Sequence, residues 1–410
     1  MRSQDASAPP LSDARVLVIC VARVLLFATF MSVAATVPLI KHDWELSAAA
    51  TGAVVSSFTI GYAVSLFLFA WGADHYGAKR MVLVSAVMAS VSSLAFGLFA
   101  RDWTSAMLLY GLVGLAQGGV YTPLVMLLAD EVERSRLGSA MGRLIASTSV
   151  GYATSLAAAG IGIALGGWQL AFVLTGLLPM IGGVILIIAL KALPNRVHRR
   201  TDGIGLRDEL VRHRESRLLF AGYTAHTWEL LGMWAWAPAF LAASLTLKGA
   251  DQSSASIWGA NLSGVLHLAG AVAALTMGRL SDRIGRKPVL IALAASGAGL
   301  SMTIGWLLHA PSVVLVALAI AYAFVCIGDS PVLTTAISEV IRPGYLGAVL
   351  AWRSLAGFGA GALAPLGFGV VFDVASGIGA DEVVSWGLGF AALGIGGALA
   401  MFSAIALRRV

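Results

Sequence analysis

The sequence predicts an all-α membrane protein: twelve transmembrane helices in two pseudo-symmetric six-helix bundles. Three observations predict it. Only 12% of the 410 residues are charged and the mean hydropathy is +0.86, whereas soluble globular chains carry about 25% charged residues. Apolar runs of about 18 or more residues, the length that crosses a bilayer, recur twelve times. The chain also repeats itself. Asp282, Gly285 and Lys287 stand 208 residues after Asp74, Gly77 and Lys79, and at the same offset Pro331, Glu339, Val340 and Arg342 follow Pro123, Glu131, Val132 and Arg134. Two unrelated patterns at one offset mark a duplicated unit.

Taken in order, residues 1–13 form a polar cytoplasmic tail, too polar and followed by too long an apolar run for a secretory leader. The N-terminal bundle, residues 14–190, holds spans at 16–40, 48–71, 81–99, 105–128, 138–165 and 170–190. Residues 191–217 are the one long polar stretch, a cytoplasmic linker with a short amphipathic helix expected near 206–214. The C-terminal bundle, residues 218–407, holds spans at 218–245, 255–277, 289–308, 313–338, 347–372 and 383–407, and residues 408–410 end the chain as a cytoplasmic tail. Cys20 and Cys326 lie in apolar runs far apart, and no disulfide is expected.

The formal charge of +6 is a topology signal. With both termini in the cytoplasm, 21 of the 27 basic residues fall on that side and only Lys41, Arg101 and Lys248 on the other. That asymmetry is the positive-inside rule, and nucleic acid is not an expected partner. Three arginines remain, Arg23, Arg143 and Arg353, all inside spans, as are Glu229 and Asp329. Charges at membrane depth cost about 2.5–3.5 kcal/mol each by insertion scales and face a bundle interior or a wet cavity. They are the candidates for function.

The second loop copy reads Gly278-Arg279-Leu280-Ser281-Asp282-Arg283-Ile284-Gly285-Arg286-Lys287 and the first Asp74-His75-Tyr76-Gly77-Ala78-Lys79-Arg80. Glycine lets the chain turn between antiparallel helices, and an aspartate can sit against a positive helix N-terminus. Twelve spans, a duplicated six-span unit, a basic central linker and this loop after the second span of each half resemble the major facilitator superfamily. Ala70 stands where the first copy's leading glycine belongs, and His75 where the arginine belongs. The resemblance implies that the loops latch the two halves together on the cytoplasmic side. Asp74 would meet the eleventh span near Gly347, and Asp282 the fifth near Gly138. Asp74, Gly77, Lys79, Arg80, Asp282, Arg283, Gly285 and Arg286 are thus expected in gating. Glu131, Arg134, Glu339 and Arg342, at the cytoplasmic ends of the fourth and tenth spans, join them.

The resemblance further implies a central cavity lined by the first, fourth, seventh and tenth spans, with the site near the midplane. On those spans Arg23, Gln117, Tyr121, Tyr223, His226, Trp228 and Ser330 are the expected substrate contacts. The fork of Arg23 suits a carboxylate or similar oxyanion. Tyr223, His226, Glu229 and Met233 share one helical face. His226 with Glu229 reads as a proton-coupling pair, since imidazole and a carboxyl group are proton carriers. Asp329 either carries the proton or neutralises Arg353. Arg143 and Arg353, at nearly corresponding places in the halves, read as structural intramembrane charges.

Drug/proton antiporters of the superfamily carry an arginine three residues before a Gln-Gly in the fourth span; Gln117-Gly118 is here, but Gly114 stands at the arginine position. Ser263 and His267 on one helix lack an oxyanion motif, and His226-x-x-Glu229 lacks a second histidine for zinc, so no enzyme, metal or cofactor is expected. The expectation is a monomeric secondary transporter in a bacterial inner membrane. It would work by alternating access and couple protons to a small organic or inorganic anion; the alternative is proton-driven export of an amphipathic or cationic compound.

Overall fold

The computed structural model describes residues 11–197, 214–341 and 343–408, and for residues 129, 134–139, 141–142, 282, 338 and 343–347 the backbone alone. Among the described residues every regular element is helical. The first span is α1 (Asp13–Leu26) and α2 (Ser32–Asp43), joined by a 3-10 turn at Phe27–Thr29. The second and third are α3 (Ala48–Tyr76) and α4 (Ala78–Phe99). The fourth is broken like the first, into α5 (Trp103–Gln117) and α6 (Thr122–Glu131) around a 3-10 turn at Gly118–Val120. Helix α7 (Arg134–Leu190) contains the fifth and sixth spans and turns back at Gly166 and Gly167, the latter at φ 75°. The second half runs α8 (Arg214–Thr246), α9 (Gln252–Ile284), α10 (Arg286–Ile304), α11 (Ser312–Val340), α12 (Pro343–Gly377) and α13 (Glu382–Ala406). The amphipathic linker helix expected near 206–214 falls almost wholly outside the described residues.

Ten stretches among the described residues are long and apolar enough to cross a membrane. The arrangement is nevertheless twelve-helical, because 143–190 counts once for two spans and α8 does not qualify. Helix α8 is too polar: it carries Arg214, Glu215, Arg217, His226 and Glu229. This polar span holds four of the candidate site residues, Tyr223, His226, Trp228 and Glu229.

Four even-numbered spans begin, on the side opposite the termini, on a capping side chain; the tenth starts after Pro311 without one. Ser47, Asp102, Asp251 and Asp381 accept from the backbone amides of Ala50, Ser105, Ser254 and Val384. A helix start leaves orphan N–H groups that such oxygens satisfy. The bonds from Ser105 and Ser254 hold the Asp102 and Asp251 carboxyls below the ordinary aspartate range.

The two halves meet along α3 with α12 and α7 with α9. Backbones approach closely where glycine removes the side chain: Gly52 lies against Pro365 and Leu366, Gly369 against Ala48, and Gly160 against Asn261. Small residues serve this purpose between membrane helices. On the side opposite the termini, Asp373 at the end of α12 accepts from Ala48 N at 2.9 Å and Ala49 N at 2.7 Å, the first turn of α3. Gln252 donates to the Pro38 carbonyl at 2.8 Å. All three bonds cross from one half to the other on that side.

Candidate functional site

The site grows from the two broken helices. Interrupting a helix at membrane depth frees backbone groups that no water can satisfy, so protein groups must take them. Gln117 Nε2 donates to Leu26 O at 2.9 Å, the Tyr110 hydroxyl donates to Phe30 O at 2.5 Å, and Met31 N donates to Ser155 Oγ at 3.0 Å. In the fourth span Gly118 N donates to Ser65 Oγ at 2.7 Å, and Tyr121 sits outside the helical region at φ −118°, ψ −82°. The remaining carbonyl of that break, Val120 O, is taken by Arg23 Nε at 3.0 Å.

Arg23 is therefore held from several directions. Its Nη1 donates to Leu144 O at 2.6 Å and to the hydroxyls of Ser147 and Thr148 at 2.8 Å each, both on α7. The guanidinium lies 4.7 Å from the Phe27 ring centre and 5.3 Å from that of Tyr121, within cation–π range. The side chain is fully buried, and Nη2 has no hydrogen-bond partner among the described residues. Its electrostatic neighbours are the weak acids Tyr62, Tyr121, Tyr152 and Cys20, with no carboxylate among them. Arg23, Gln117 and Tyr121 are the residues of this cluster that the sequence singles out. It gave no sign of Ser147, Thr148 or Tyr152, because small polar residues in an apolar helix carry no spacing signal of their own.

In the second half His226 Nδ1 lies 3.0 Å from Asp329 Oδ2, and Nε2 lies 3.0 Å from Ser330 Oγ. Spacing along α8 pairs His226 with Glu229; the structure does not. Three residues turn Glu229 far enough to face Tyr322, whose hydroxyl donates to it at 3.2 Å and also bonds Ser301 at 2.8 Å. Gly297 and Gly397 wall the Glu229 carboxylate in. Trp228, expected at the substrate, is turned toward α13, where its Nε1 donates to Ala392 O at 3.1 Å. Arg353 is not neutralised by Asp329 in any contact the described residues show. Its guanidinium lies 4.0 Å from the Tyr223 ring centre and donates to Thr334 Oγ1 at 3.2 Å, while its buried Nε is unpartnered among the described residues. Arg143 is not its counterpart in depth: it stands at the start of its span and bonds Asp13 at 3.1 Å, half-exposed. Ser263 donates to Gly259 O within its own helix, at 2.8 Å, leaving His267 to the rings around it.

At the termini side the repeated loops are built alike. Gly77 and Gly285 close α3 and α9 at φ 90° and 94°, a region only glycine enters freely. Lys79 Nζ donates to Lys191 O at 3.1 Å and to Leu193 O, and Lys287 Nζ donates to Leu407 O at 2.6 Å. Each lysine thus caps the last helix of its own half. The carboxylates are served differently: Arg286 Nη2 bonds Glu339 Oε1 at 2.9 Å, whereas Glu131 Oε1 accepts from Arg196 Nε at 2.8 Å. Arg80 N donates to Asn195 Oδ1 at 3.1 Å, and Arg283 is exposed. The side chains of Arg134 and Asp282, and all of Arg342, lie outside the described residues.

Comparisons with known proteins agree with this architecture. The family model described as Major Facilitator Superfamily matches residues 19–365. A "Hexuronate transporter" of Bacillus subtilis is 25% identical over 84% of this chain and 83% of its own length. A "Probable sulfoacetate transporter SauU" of Cupriavidus necator is 23% identical over 68% of this chain and 66% of its own. Among solved structures, an inward-facing bacterial homologue of the lysosomal transporter Spinster superposes with a TM-score of 0.75 at 15% identity, covering 96% of both chains. The chain belongs to the Major Facilitator Superfamily: it is a multi-pass membrane transporter, not an enzyme.

Proposed function

We propose that the protein moves a small organic or inorganic anion across a bacterial inner membrane, both termini in the cytoplasm, by proton-coupled alternating access. The observation that carries the proposal is Arg23: a fully buried guanidinium whose Nη2 has no hydrogen-bond partner, and whose electrostatic neighbours include no carboxylate, among the described residues. An ion taken out of water costs several kcal/mol unless a counter-charge repays it. The described protein offers Arg23 dipoles and ring faces; an anionic substrate supplies the missing charge. Nη2 donates to the incoming oxyanion, and the hydroxyls of Ser147 and Thr148 are near enough to rotate onto a second oxygen. Two relatives named for anions, hexuronate and sulfoacetate, support the same reading.

The proton route we assign to Asp329 and His226. They share one hydrogen bond, and Asp329 Oδ1 is buried without a partner among the described residues, so the pair has an open position for the proton. The cationic-compound alternative takes Glu229 and Asp329 as the cation's partners; Gly297 and Gly397 enclose the first carboxylate, and His226 already pairs with the second.

The test is uptake of D-glucuronate and of sulfoacetate by proteoliposomes carrying Arg23→Gln or Arg23→Lys at matched insertion. Removing one partner of a buried charge contact costs about 2–5 kcal/mol, so Arg23→Gln weakens apparent affinity by at least about thirtyfold. Arg23→Lys keeps the charge, loses the fork and falls between. Wild-type affinity in Arg23→Gln would overturn the assignment.

A further inference from the structure

One cluster remains that the anion site does not use. Tyr152 on α7, Trp234 on α8 and His267 on α9 form a three-ring box across the join between the halves. Ring centres are 5.1 Å apart for Tyr152–Trp234, 5.3 Å for Tyr152–His267 and 5.1 Å for Trp234–His267. His267 is 2% exposed. Its Nδ1 and the neighbouring Trp234 Nε1 are both buried with no hydrogen-bond partner among the described residues. Buried polar atoms are nearly always satisfied, and each exception calls for a reason. Two adjacent orphans in one box point to a group that is absent from the protein itself.

The box is also continuous with the anion site. The Arg23 guanidinium faces Phe27, Phe27 lies 5.8 Å from Tyr152, and Tyr152 touches both Trp234 and His267. Phe30 lies 4.2 Å from Tyr152 and completes the lining. A cavity of about 20 Å³, walled by Trp234, Phe30, Tyr110 and Thr59 from both halves, adjoins it. That is room for about one water, so the box is closed down in this state and a ligand enters when the halves part.

We propose that Trp234 and His267 are specificity-determining residues that hold the second, polar end of a two-ended anion whose charged end sits on Arg23. The proposal rests on the anion reading above. Tryptophan Nε1–H only donates, which fixes the chemistry of the far end: a hydrogen-bond acceptor, such as a hydroxyl, carbonyl or second acid oxygen. The imidazole can donate or accept beside it. The ring faces between the ends suit a short body of carbon. A monovalent anion with an apolar far end leaves both ring nitrogens bare, and a site built around polar donors rejects analogues that leave them unpaired.

The experiment measures Kd by calorimetry for two matched pairs on the purified full chain: D-glucuronate against cyclohexanecarboxylate, and sulfoacetate against ethanesulfonate. The wild type prefers the two-ended member of at least one pair by tenfold or more. Trp234→Phe and His267→Phe, which keep an aromatic ring and remove the ring nitrogens, each lower that preference at least fivefold. Arg23→Gln weakens both members of the pair. Unliganded thermal midpoints show whether each variant is folded, and either ring variant alone suffices for the test. An equal preference in wild type and both ring variants, with binding still dependent on Arg23, overturns the proposal and leaves the anion reading standing. Failure of all four probes to bind the wild type overturns both.

Discussion

Asp329 and Glu229 are both buried acids facing the interior of the second half, and their partners separate them. Asp329 shares a bond with His226, and His226 reaches the half-buried Ser330; Glu229 is bonded to Tyr322 and shut between glycines. A carrier must exchange its proton with solvent, which the first arrangement permits and the second obstructs. Asp329→Asn is therefore expected to abolish pH-gradient-driven accumulation while substrate exchange across an undriven membrane persists. Glu229→Gln is expected to keep the wild-type pH profile. Proteoliposome uptake and counterflow separate the two, and a flattened profile in Glu229→Gln alone would reverse the assignment. At this scale the sequence singled out the candidate charges and not how they pair. Charge inside an apolar run is conspicuous, so Arg23, His226, Glu229, Asp329 and Arg353 all stood out. Pairing depends on helix rotation, and a three-residue step along α8 was enough to place Glu229 in a different pocket from His226. Tyr152 was illegible as a lining residue for another reason: aromatic side chains in a membrane helix are also belt and core residues.

Among the elements, the segment after α7 acts as a strap over the first loop. Asn195 Nδ2 donates to Tyr76 O at 2.8 Å while its Oδ1 accepts from Arg80 N, and a Cβ on Gly77 would collide with its amide. Arg196 then reaches Glu131, whose side chain is 2% exposed. The duplication contains the reason. Position 208 before Arg286 is Ala78, so the first half lacks the arginine that serves Glu339 in the second, and Arg196 takes its place. That substitution was readable from the offset alone, although the partner that replaces it was not, because it comes from the linker. Removing one member of a buried pair costs about 3–5 kcal/mol; with Arg196 nearly half in solvent the cost falls to about 1–3 kcal/mol. Arg196→Ala should lower the thermal midpoint in detergent, and in a Glu131→Gln background the same change should cost little. Additive losses in that double-mutant cycle would show that the two side chains do not stabilise each other. The broken helices, by contrast, could not have been read in advance. Phe27–Thr29 holds no glycine or proline, and Gly118-Gly119, though a breaker pair, does not fix where a span bends; the breaks are held because Gln117, Tyr110, Ser155 and Arg23 elsewhere in the fold receive the freed backbone groups.

For the whole molecule, under the proposed alternating access, the contacts that cross between the halves are expected to decide which side is shut. The carboxylate of Asp373 accepts two amides at the start of α3, where the helix dipole adds to the bonds. Lys41 stands 4.9 Å from the ring centre of the adjacent Phe372. None of these groups is in the proposed substrate site, so they are expected to bias the equilibrium between open states without altering what is recognised. A ligand or a mutation shifts such an equilibrium only by its differential free energy for the two states. The loss of a helix-start acceptor is worth about 0.5–2 kcal/mol. Asp373→Ala should therefore move the population about two- to thirtyfold toward the state open opposite the termini. A spin-label pair at Glu45 and Ile378, both exposed beside the contact, reads the change as a longer distance component, with substrate Kd changed only by the same population factor. If the distance distribution stays that of the unsubstituted protein, Asp373 caps α3 without holding the halves together, and closure on that side falls to the glycine-lined seams of α3 with α12 and α7 with α9.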